Sequence, residues 1–126
     1  MQKKFFISIL LAGLMAMQGC TTIIVGGYLY KKGELKRVYP ASLEETLNAC
    51  AEVFKSLKIK VKERFLVGIK TKINAEWPDG TPLKVKLVLK DSRITEVSIR
   101  SGYVGVLDRD ESELIHQRIT RRLLNI

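Results

Sequence analysis

The sequence predicts an α+β domain in which two helices pack on one face of an antiparallel sheet of about five strands. Between residues 58 and 100, apolar residues recur at every second position, as in half-buried strands. Two segments that begin at Ser42 and Asp108 carry apolar residues at helical spacing instead. These helices are the only segments able to cover a sheet face, so the predicted order is β-α-β-β-β-β-α.

The segment before this domain has the form of a bacterial lipoprotein signal peptide. Lys3 and Lys4 precede an apolar run over 5–17, which is shorter than the ~20 residues that a membrane-spanning helix needs. Gly19 then precedes Cys20, the expected site of lipid attachment and first residue of the mature protein. We therefore predict a signal peptide over 1–19, a lipidated cysteine with a flexible tether over 20–32, and a single domain over 33–126.

Two positions depart from the usual lipoprotein pattern, because Met17 and Gln18 stand where leucine and a small residue are common. The alternative is an uncleaved signal anchor in which the apolar run resumes at 23–25. Polar and small residues at 18–22 interrupt that run, which favours lipidation. Thr21 is not the aspartate that commonly retains lipoproteins at an inner membrane. In an envelope with two membranes, the predicted location is therefore the outer membrane, facing the periplasm.

Charge and cysteine content narrow the function classes. The chain has 126 residues and a formal net charge of +9; without 1–19 and its two lysines, 107 residues and a charge of +7 remain. That length suits one domain with one core, and the charge favours anionic partners such as phosphate head groups, lipopolysaccharide, acidic polymers or acidic proteins. With Cys20 acylated, Cys50 has no disulfide partner. One histidine and one spare cysteine form no metal-ligand set, so no metal or cofactor is expected.

The first elements are a strand and a helix. Residues 28–39 predict a strand that is interrupted at 31–33 and is best formed over 34–39. The helix begins at Ser42, which forms a capping box with Glu45. Its apolar stripe has spacings of four, three, four and three, and contains Leu43, Leu47, Cys50, Phe54 and Leu57. Cys50 is interpreted as a small core residue, and the alternative is a nucleophile.

After the first helix, residues 58–100 predict four strands in which apolar and polar residues alternate, and a second helix follows. Turns are expected at 63–66, 77–82 and 91–93, and Trp77 is expected to pack over the sheet edge, with ligand stacking as the alternative. Residues 101–107 are interpreted as a loop whose two glycines are weak signals for nucleotide binding. Acids then begin the last helix, and His116 is expected on its surface. Its predicted apolar face contains Leu114, Ile115, Ile119, Leu123 and Ile126.

The alternation places basic side chains on the sheet face away from the helices. The residues expected there are Lys60, Lys62, Arg64, Lys70, Lys72, Lys84, Lys86, Lys90 and Arg100, with Glu96 as the one acid. We hypothesise that the basic residues of this face other than Arg64 bind an anionic ligand. The alternative is that these lysines keep exposed strands soluble and block edge pairing. Nucleic acid is not the expected partner, because the predicted signal peptide implies export and the face lacks interleaved aromatic residues.

Several short segments carry a resemblance over nearly the whole length. They are Gly19-Cys20, Gly26-Gly27, Gly33-Glu34-Leu35, Ala41-Ser42-Leu43-Glu44, Ile69-Lys70-Thr71, Asp79-Gly80, Thr95-Glu96-Val97-Ser98-Ile99-Arg100, Gly102 with Gly105, and Ser112 with Ile115 and Ile119. On these residues the chain resembles a family of short bacterial lipoproteins known as a domain of unknown function. The resemblance implies an envelope location and this fold, and it implies no activity. The element order is also similar to helix-grip domains in a lipoprotein of the outer-membrane barrel-assembly machinery, which is an analogy of fold alone.

Two function classes compete. The prediction is a membrane-anchored, non-enzymatic binding or scaffolding module, and the alternative is an enzyme acting on a cell-wall or lipid substrate. Glycan hydrolysis needs two carboxylates in a cleft, whereas the acids here lie mostly at helix starts and turns. Ser112 and His116 share a helical face, but no nucleophile elbow surrounds the serine. No catalytic residue is therefore predicted.

Overall fold

The computed structural model describes residues 27–103 and 105–125, which form an antiparallel sheet and two helices. The elements in chain order are β1 (Tyr28–Lys31), β2 (Glu34–Tyr39), α1 (Leu43–Ser56), β3 (Lys60–Val67), β4 (Lys70–Glu76), β5 (Pro82–Asp91), β6 (Ile94–Tyr103), β7 (Val106–Leu107) and α2 (Arg109–Leu124). The predicted α+β class is confirmed. The predicted count of about five strands was too low, because the described residues contain seven.

The two additional strands are short pieces at the ends of longer hairpins. β1 pairs with β2, and Lys32 and Gly33 between them both have positive φ, as in a tight hairpin turn. The sheet thus begins inside the range 20–32 assigned to the tether, five residues before the predicted domain start. β7 pairs with the end of β6, inside the predicted loop over 101–107.

Residues 63–66 are strand and not the predicted turn. β3 pairs with β4 as far as Val67 opposite Lys70, so the chain reverses at Gly68 and Ile69. A register shift between Val61 and Glu63 marks a β-bulge, after which each β3 residue occupies the face opposite to that expected from simple alternation. The break in the sequence pattern is this bulge, since a bulge and a turn interrupt alternation in the same way.

The strand order across the sheet is β1-β2-β6-β5-β4-β3, and β3 is therefore an edge strand. Both helices lie on one face and contact each other, and one core fills the space between them and the sheet. Its members are Tyr39, Ala49, Cys50, Val53, Phe54, Ile59, Ile73, Ala75, Leu83, Val85, Leu87, Val97, Ile99, Ile115 and Ile119. The opposite face of the sheet has no helix packed on it among the described residues.

Helix α1 follows its predicted cap but is rotated about its axis relative to the predicted stripe. The Glu45 backbone N–H donates to Ser42 Oγ at 3.1 Å, which confirms the N-cap. The buried side chains are those of Thr46, Ala49, Cys50, Val53 and Phe54, while Leu43 and Leu47 pack at the margin. Cys50 is buried, as the core interpretation expects.

Helix α2 is capped by Asp108, whose carboxylate accepts from the Glu111 N–H at 3.0 Å. The predicted surface position of His116 is wrong, because this side chain is fully buried. Leu114, assigned to the apolar face, is exposed, and Ile126 lies outside the described residues. The buried face of α2 is thus more polar than the sequence pattern suggests, since it also includes Ser112.

Candidate functional site

The sheet face without helices carries most of the strand lysines; we call it the open face. Side chains alternate along each strand, so residues next to the buried Leu35, Ile73, Val85 and Val97 point to this face. The residues at its centre are Lys36, Lys70, Lys72, Lys84, Lys86, Glu96, Ser98 and Arg100.

The strand register brings a row without acids across the middle of the open face. Ser98 on β6 lies between Lys36 on β2 and Lys86 on β5. Lys86 lies opposite Lys72 on β4, and Lys72 lies opposite Phe65 on the edge strand. Directly paired residues share a face of the sheet, and adjacent strands are about 4.8 Å apart. Three lysines and one serine are therefore neighbours in space although they come from four different strands.

A cavity of about 300 Å³ lies beside this row, and we call it the Ser98 cavity. The residues that line it are Glu34, Lys72, Ile73, Asn74, Lys84, Val85, Lys86, Ser98 and Arg100. Four of the nine carry a positive charge and one carries a negative charge. The cavity is consequently a local concentration of positive charge on an otherwise mixed surface.

Two residues that line the Ser98 cavity each have a buried polar atom without a hydrogen-bond partner among the described residues. Ser98 is 2% exposed, and its Oγ is buried and unpartnered. Arg100 Nε is likewise buried and unpartnered, although Nη2 of the same side chain donates to the Lys32 carbonyl oxygen. Buried polar atoms nearly always have a hydrogen-bond partner, so two unpartnered atoms on residues of one cavity need an explanation.

The predicted anion-binding residues divide into two groups. Lys72, Lys84, Lys86 and Arg100 line the Ser98 cavity together. The remaining four predicted residues lie outside it. Lys62 Nζ lies 2.8 Å from a Glu76 carboxylate oxygen, and this hydrogen bond raises the pKa of Lys62.

The three other residues of the second group also lie away from the cavity. Lys90 Nζ lies 4.0 Å from a Glu96 carboxylate oxygen. Lys60 and Lys70 lie opposite Glu76 and Val88 in the register. The basic face predicted from alternation is therefore a small unpaired centre with a margin that includes acidic partners.

The predicted composition of the face needs three corrections. Arg64 lies opposite Ile73 and so belongs to the helix side, because the β3 bulge reverses the alternation. Glu96 is not the one acid of the face, since Glu63 and Glu76 lie opposite Asn74 and Lys60, and Glu34 lines the cavity.

The third correction is a basic residue that the sequence analysis missed. Lys36 lies opposite Ser98 on the open face, with its Nζ 3.9 Å from a Glu34 carboxylate oxygen. The signal was available, because the buried Leu35 and Tyr39 on β2 alternate with Lys36. The predicted face came from alternation after residue 59, and β2 follows the same rule.

A second cavity, of about 440 Å³, lies where β6 and β7 lead into α2. Asp108, Asp110 and Glu111 line it together with one basic residue, Arg109. This charge disfavours a nucleotide phosphate. Backbone conformation explains why residue 102 is a glycine. Its φ is +113°, and an added Cβ would lie 2.4 Å from the Val106 carbonyl oxygen.

The residues considered for a serine hydrolase are committed to structural bonds. The His116 Nε2–H donates to the Leu35 carbonyl oxygen at 2.7 Å, and its Nδ1 is 2.7 Å from the Tyr39 hydroxyl. Ser112 Oγ donates to the Asp108 carbonyl oxygen at 3.3 Å. Both ring nitrogens of His116 thus have partners other than Ser112.

Trp77 has a packing role, and its contacts are with the core. Its side chain packs against the core, and its indole N–H donates to Ser101 Oγ at 2.8 Å. The Ser101 hydroxyl in turn donates to a Glu111 carboxylate oxygen at 2.8 Å. Trp77 therefore links the β4–β5 connection to α2.

The remaining predictions concern metals and the membrane. Within 27–103 and 105–125, no group of three or more His, Cys, Asp or Glu side chains is placed to hold a metal ion. Helices in the same ranges are too short or too polar to cross a bilayer. The lipidation prediction for Cys20 lies outside the described residues.

The edge of the sheet carries exposed apolar side chains. All eight residues of β3 are exposed, and its outer backbone edge pairs with no strand among the described residues. Phe65, Leu66, Val67 and Ile69 form a group at the end of the β3–β4 hairpin, and Leu66 is 67% exposed. This apolar group is distinct from the Ser98 cavity. Phe65 lies at the end of the row that contains Ser98, opposite Lys72.

The chain belongs to the family described as "Protein of unknown function (DUF3568)", whose model matches residues 4–122. This match confirms the family resemblance drawn from the sequence. It extends across the described domain and most of the N-terminal segment. The search of curated proteins found no match.

Proposed function

We propose that this family member is a lipid-anchored protein of the bacterial cell envelope and acts as a non-enzymatic binding or scaffolding module. In this proposal Cys20 carries the lipid, and the open face binds an anionic envelope component. The observation that carries the proposal is the group of unpaired cations around Ser98. In an envelope with two membranes, the protein would lie on the outer membrane and face the periplasm.

Ion pairing on the open face favours binding over a role in solubility alone. Carboxylates lie within 4.0 Å of the ammonium groups of Lys36, Lys62 and Lys90. Among the described residues, Lys72 and Lys86 form no such pair. Lys72 and Lys86 lie directly opposite each other, and lysines that served only solubility would be mixed with acids there, so this pair favours binding.

Lys72 and Lys86 lie opposite each other on adjacent strands, so their ammonium groups repel each other where they approach. Two unit charges about 5 Å apart repel by roughly 1–3 kcal/mol at effective dielectric constants between those of water and a protein surface. An anion between Lys72 and Lys86 would replace this repulsion with attraction. The same pair of lysines without an anion depends on salt for its screening.

Membrane attachment would increase the effect of this modest charge. A tether to Cys20 would hold the domain near a phosphate-rich surface, where anions are present at a high effective concentration. Acyl chains contribute about 0.8 kcal/mol per buried methylene, so two or three chains give durable attachment. A weak affinity of the open face for anions would then be sufficient for binding at the membrane.

The anchor is tested with Cys20→Ser. The parent should be processed and should partition into the detergent phase, whereas the variant should accumulate as an unprocessed precursor without the lipid. Mass spectrometry of the purified protein should show the acyl mass on the parent alone. Processing of the variant with unchanged partitioning would contradict lipidation at Cys20.

The open face is tested with full-length protein in a neutral detergent. Isothermal titration with mixed micelles should show a heat of binding, beyond that of acyl-chain mixing, when they contain phosphatidylglycerol and not when they contain phosphatidylcholine. The affinity should fall steeply with salt. A variant with Lys70, Lys72, Lys84 and Lys86 replaced by Gln should lose binding and remain folded.

The matched control removes the same charge from the helical side of the molecule. It replaces the exposed Lys55, Lys58, Arg118 and Arg121 by Gln. If binding depends on the open face, this variant should bind nearly as well as the parent. Equal losses in both variants would show a response to net charge and would contradict a specific role for the open face.

A further inference from the structure

We propose that the Ser98 cavity is a binding site for one phosphate-type oxyanion. This inference rests on the proposed function of the open face and names the chemical group that the face would bind. Two side chains on β6, Ser98 and Arg100, supply donors at fixed positions. Lysines on β4 and β5 supply the mobile positive charge.

The Ser98 hydroxyl has no structural explanation among the described residues. It is buried between Lys36 and Lys86 and has no hydrogen-bond partner. An unpaired buried hydroxyl is destabilising, and an apolar side chain would avoid that cost. Val88 shows that the open face accepts one, because it is 8% exposed on the neighbouring strand. A hydroxyl at position 98 is therefore expected to have a partner that binds from outside the chain.

Arg100 supplies a second unpartnered donor in the same cavity. It follows Ser98 by two residues and so points to the same face, about 7 Å further along the strand. Its Nη2 is held by the Lys32 carbonyl oxygen, which restrains the guanidinium group while Nε has no partner. An oxyanion between the two residues can accept from the Ser98 hydroxyl and from Arg100 Nε.

The other unpartnered side-chain atoms among the described residues lie elsewhere. Thr71 Oγ1 is on the helix side, since Thr71 lies opposite the buried Leu87. Arg37 Nε is also on the helix side, where its guanidinium group lies over the rings of Tyr28 and Tyr39. The Ser98 cavity is thus the place where unpartnered donors coincide with unpaired cations.

The charges around the cavity favour an oxyanion. Lys72, Lys84 and Lys86 line it, and the one carboxylate there, that of Glu34, lies 3.9 Å from Lys36 Nζ. Hydrogen bonds to an ionised acceptor are roughly twice as strong as neutral ones. Phosphate offers several acceptor oxygens at tetrahedral positions, which suits donors that come from different strands.

The size and lining of the cavity limit the rest of the ligand. A volume of about 300 Å³ is at the lower end for small-molecule sites. No aromatic ring lines it, so a nucleobase would have nothing to stack on. Ser98 is 2% exposed, so the flexible side chains of neighbouring lysines must move when the oxyanion enters. The ligand is therefore a compact phosphate group, either free or as a lipid head group.

The first arm of the test titrates full-length protein in neutral detergent with inorganic pyrophosphate. Ser98→Ala should weaken binding about tenfold, because it removes one hydrogen bond to a charged acceptor. The same variant should unfold at an equal or higher temperature, since it also removes an unpaired buried hydroxyl. A purely structural serine would give the opposite result, with lower stability and unchanged binding.

Two further variants serve as controls. Thr71→Val removes the other unpartnered hydroxyl on the opposite side of the sheet, and it should bind pyrophosphate like the parent. Arg100→Lys keeps the charge but removes Nε, and it should bind more weakly. Equal affinity of the parent, Ser98→Ala and Arg100→Lys would overturn the proposed site.

The second arm uses mixed micelles that contain phosphatidylglycerol and separates the two phosphate sources. If pyrophosphate does not bind but Ser98→Ala weakens micelle binding about tenfold, the site holds a lipid head group. If the micelles bind the parent and Ser98→Ala equally and pyrophosphate does not bind, the site is wrong while open-face binding stands. If the parent binds neither probe, both proposals are wrong.

Discussion

The Tyr39 hydroxyl on β2 and Nδ1 of His116 on α2 lie 2.7 Å apart inside the core. The second ring nitrogen of His116 donates to the Leu35 carbonyl oxygen, so Nδ1 of the neutral ring accepts from Tyr39. Burial, partly opposed by the bond to Leu35, lowers the pKa of His116 to about 4. The single histidine of the chain therefore joins a helix to the sheet and is neutral at pH 7.

This pairing predicts a loss of stability in mild acid. Between pH 6.5 and about 4 the unfolded chain binds a proton at His116 that the folded protein does not bind, so stability falls as the pH falls through this window. This difference in the pKa of His116 between the unfolded and folded states corresponds to about 3 kcal/mol in the free energy of unfolding. Urea unfolding of full-length protein at pH 7 and pH 4.5 measures the change. His116→Gln should be less stable at pH 7 and should lose less stability on acidification; an unchanged pH dependence would contradict the assignment.

The buried face of α1 predicts a graded series of substitutions. Phe54 is 2% exposed in the core, so Phe54→Asp should remove more than about 4 kcal/mol and unfold the domain. Leu47 packs at the margin, and Leu47→Asp should cost less. Glu44 is exposed, and Glu44→Ala should have little effect. Thermal unfolding followed by circular dichroism tests the order, and similar curves for all three variants would show that α1 does not pack as described.

The position of Cys50 predicts an inert thiol. Burial raises the pKa of Cys50 to about 12, so at pH 8 the thiolate fraction is very small and the sulfur is covered. In Cys20→Ser protein, Cys50 should react with a disulfide reagent only after urea is added. A second variant that also carries Val106→Cys should react at once, because position 106 is 76% exposed. Rapid modification of Cys50 in native protein would contradict its placement in the core.

The unpaired edge of β3 predicts a tendency to self-associate. Exposed apolar edge strands are common sites of aggregation, and the lysines of β3 lie in its first half, away from Phe65 and Leu66. The double variant Phe65→Lys, Leu66→Lys should scatter less light on heating at high concentration, with an unchanged unfolding temperature at low concentration. Val106→Lys adds charge at another exposed apolar position and should have a smaller effect. Equal scattering by the parent and the double variant would show that the edge does not drive association.

Local patterns in the sequence determined the class of the fold and most of its elements. Ser42 and Glu45 marked the start of α1, and alternation marked the strands, because capping and side-chain direction depend on neighbours in the chain. Alternation also placed Lys72, Lys84 and Lys86 on one face. The lipid anchor at Cys20 likewise comes from the sequence and is a prediction that the described residues do not reach.

Only the tertiary structure decided which of these side chains meet. Strand order placed β6 between β2 and β5, and this put Ser98 between Lys36 and Lys86. The bulge in β3 moved Arg64 to the helix side, and α2 buried His116 against Tyr39. Each of these outcomes depends on contacts between residues far apart in the chain. Periodicity fixes the direction of a side chain relative to its own strand or helix, but pairing and packing between elements fix its neighbours.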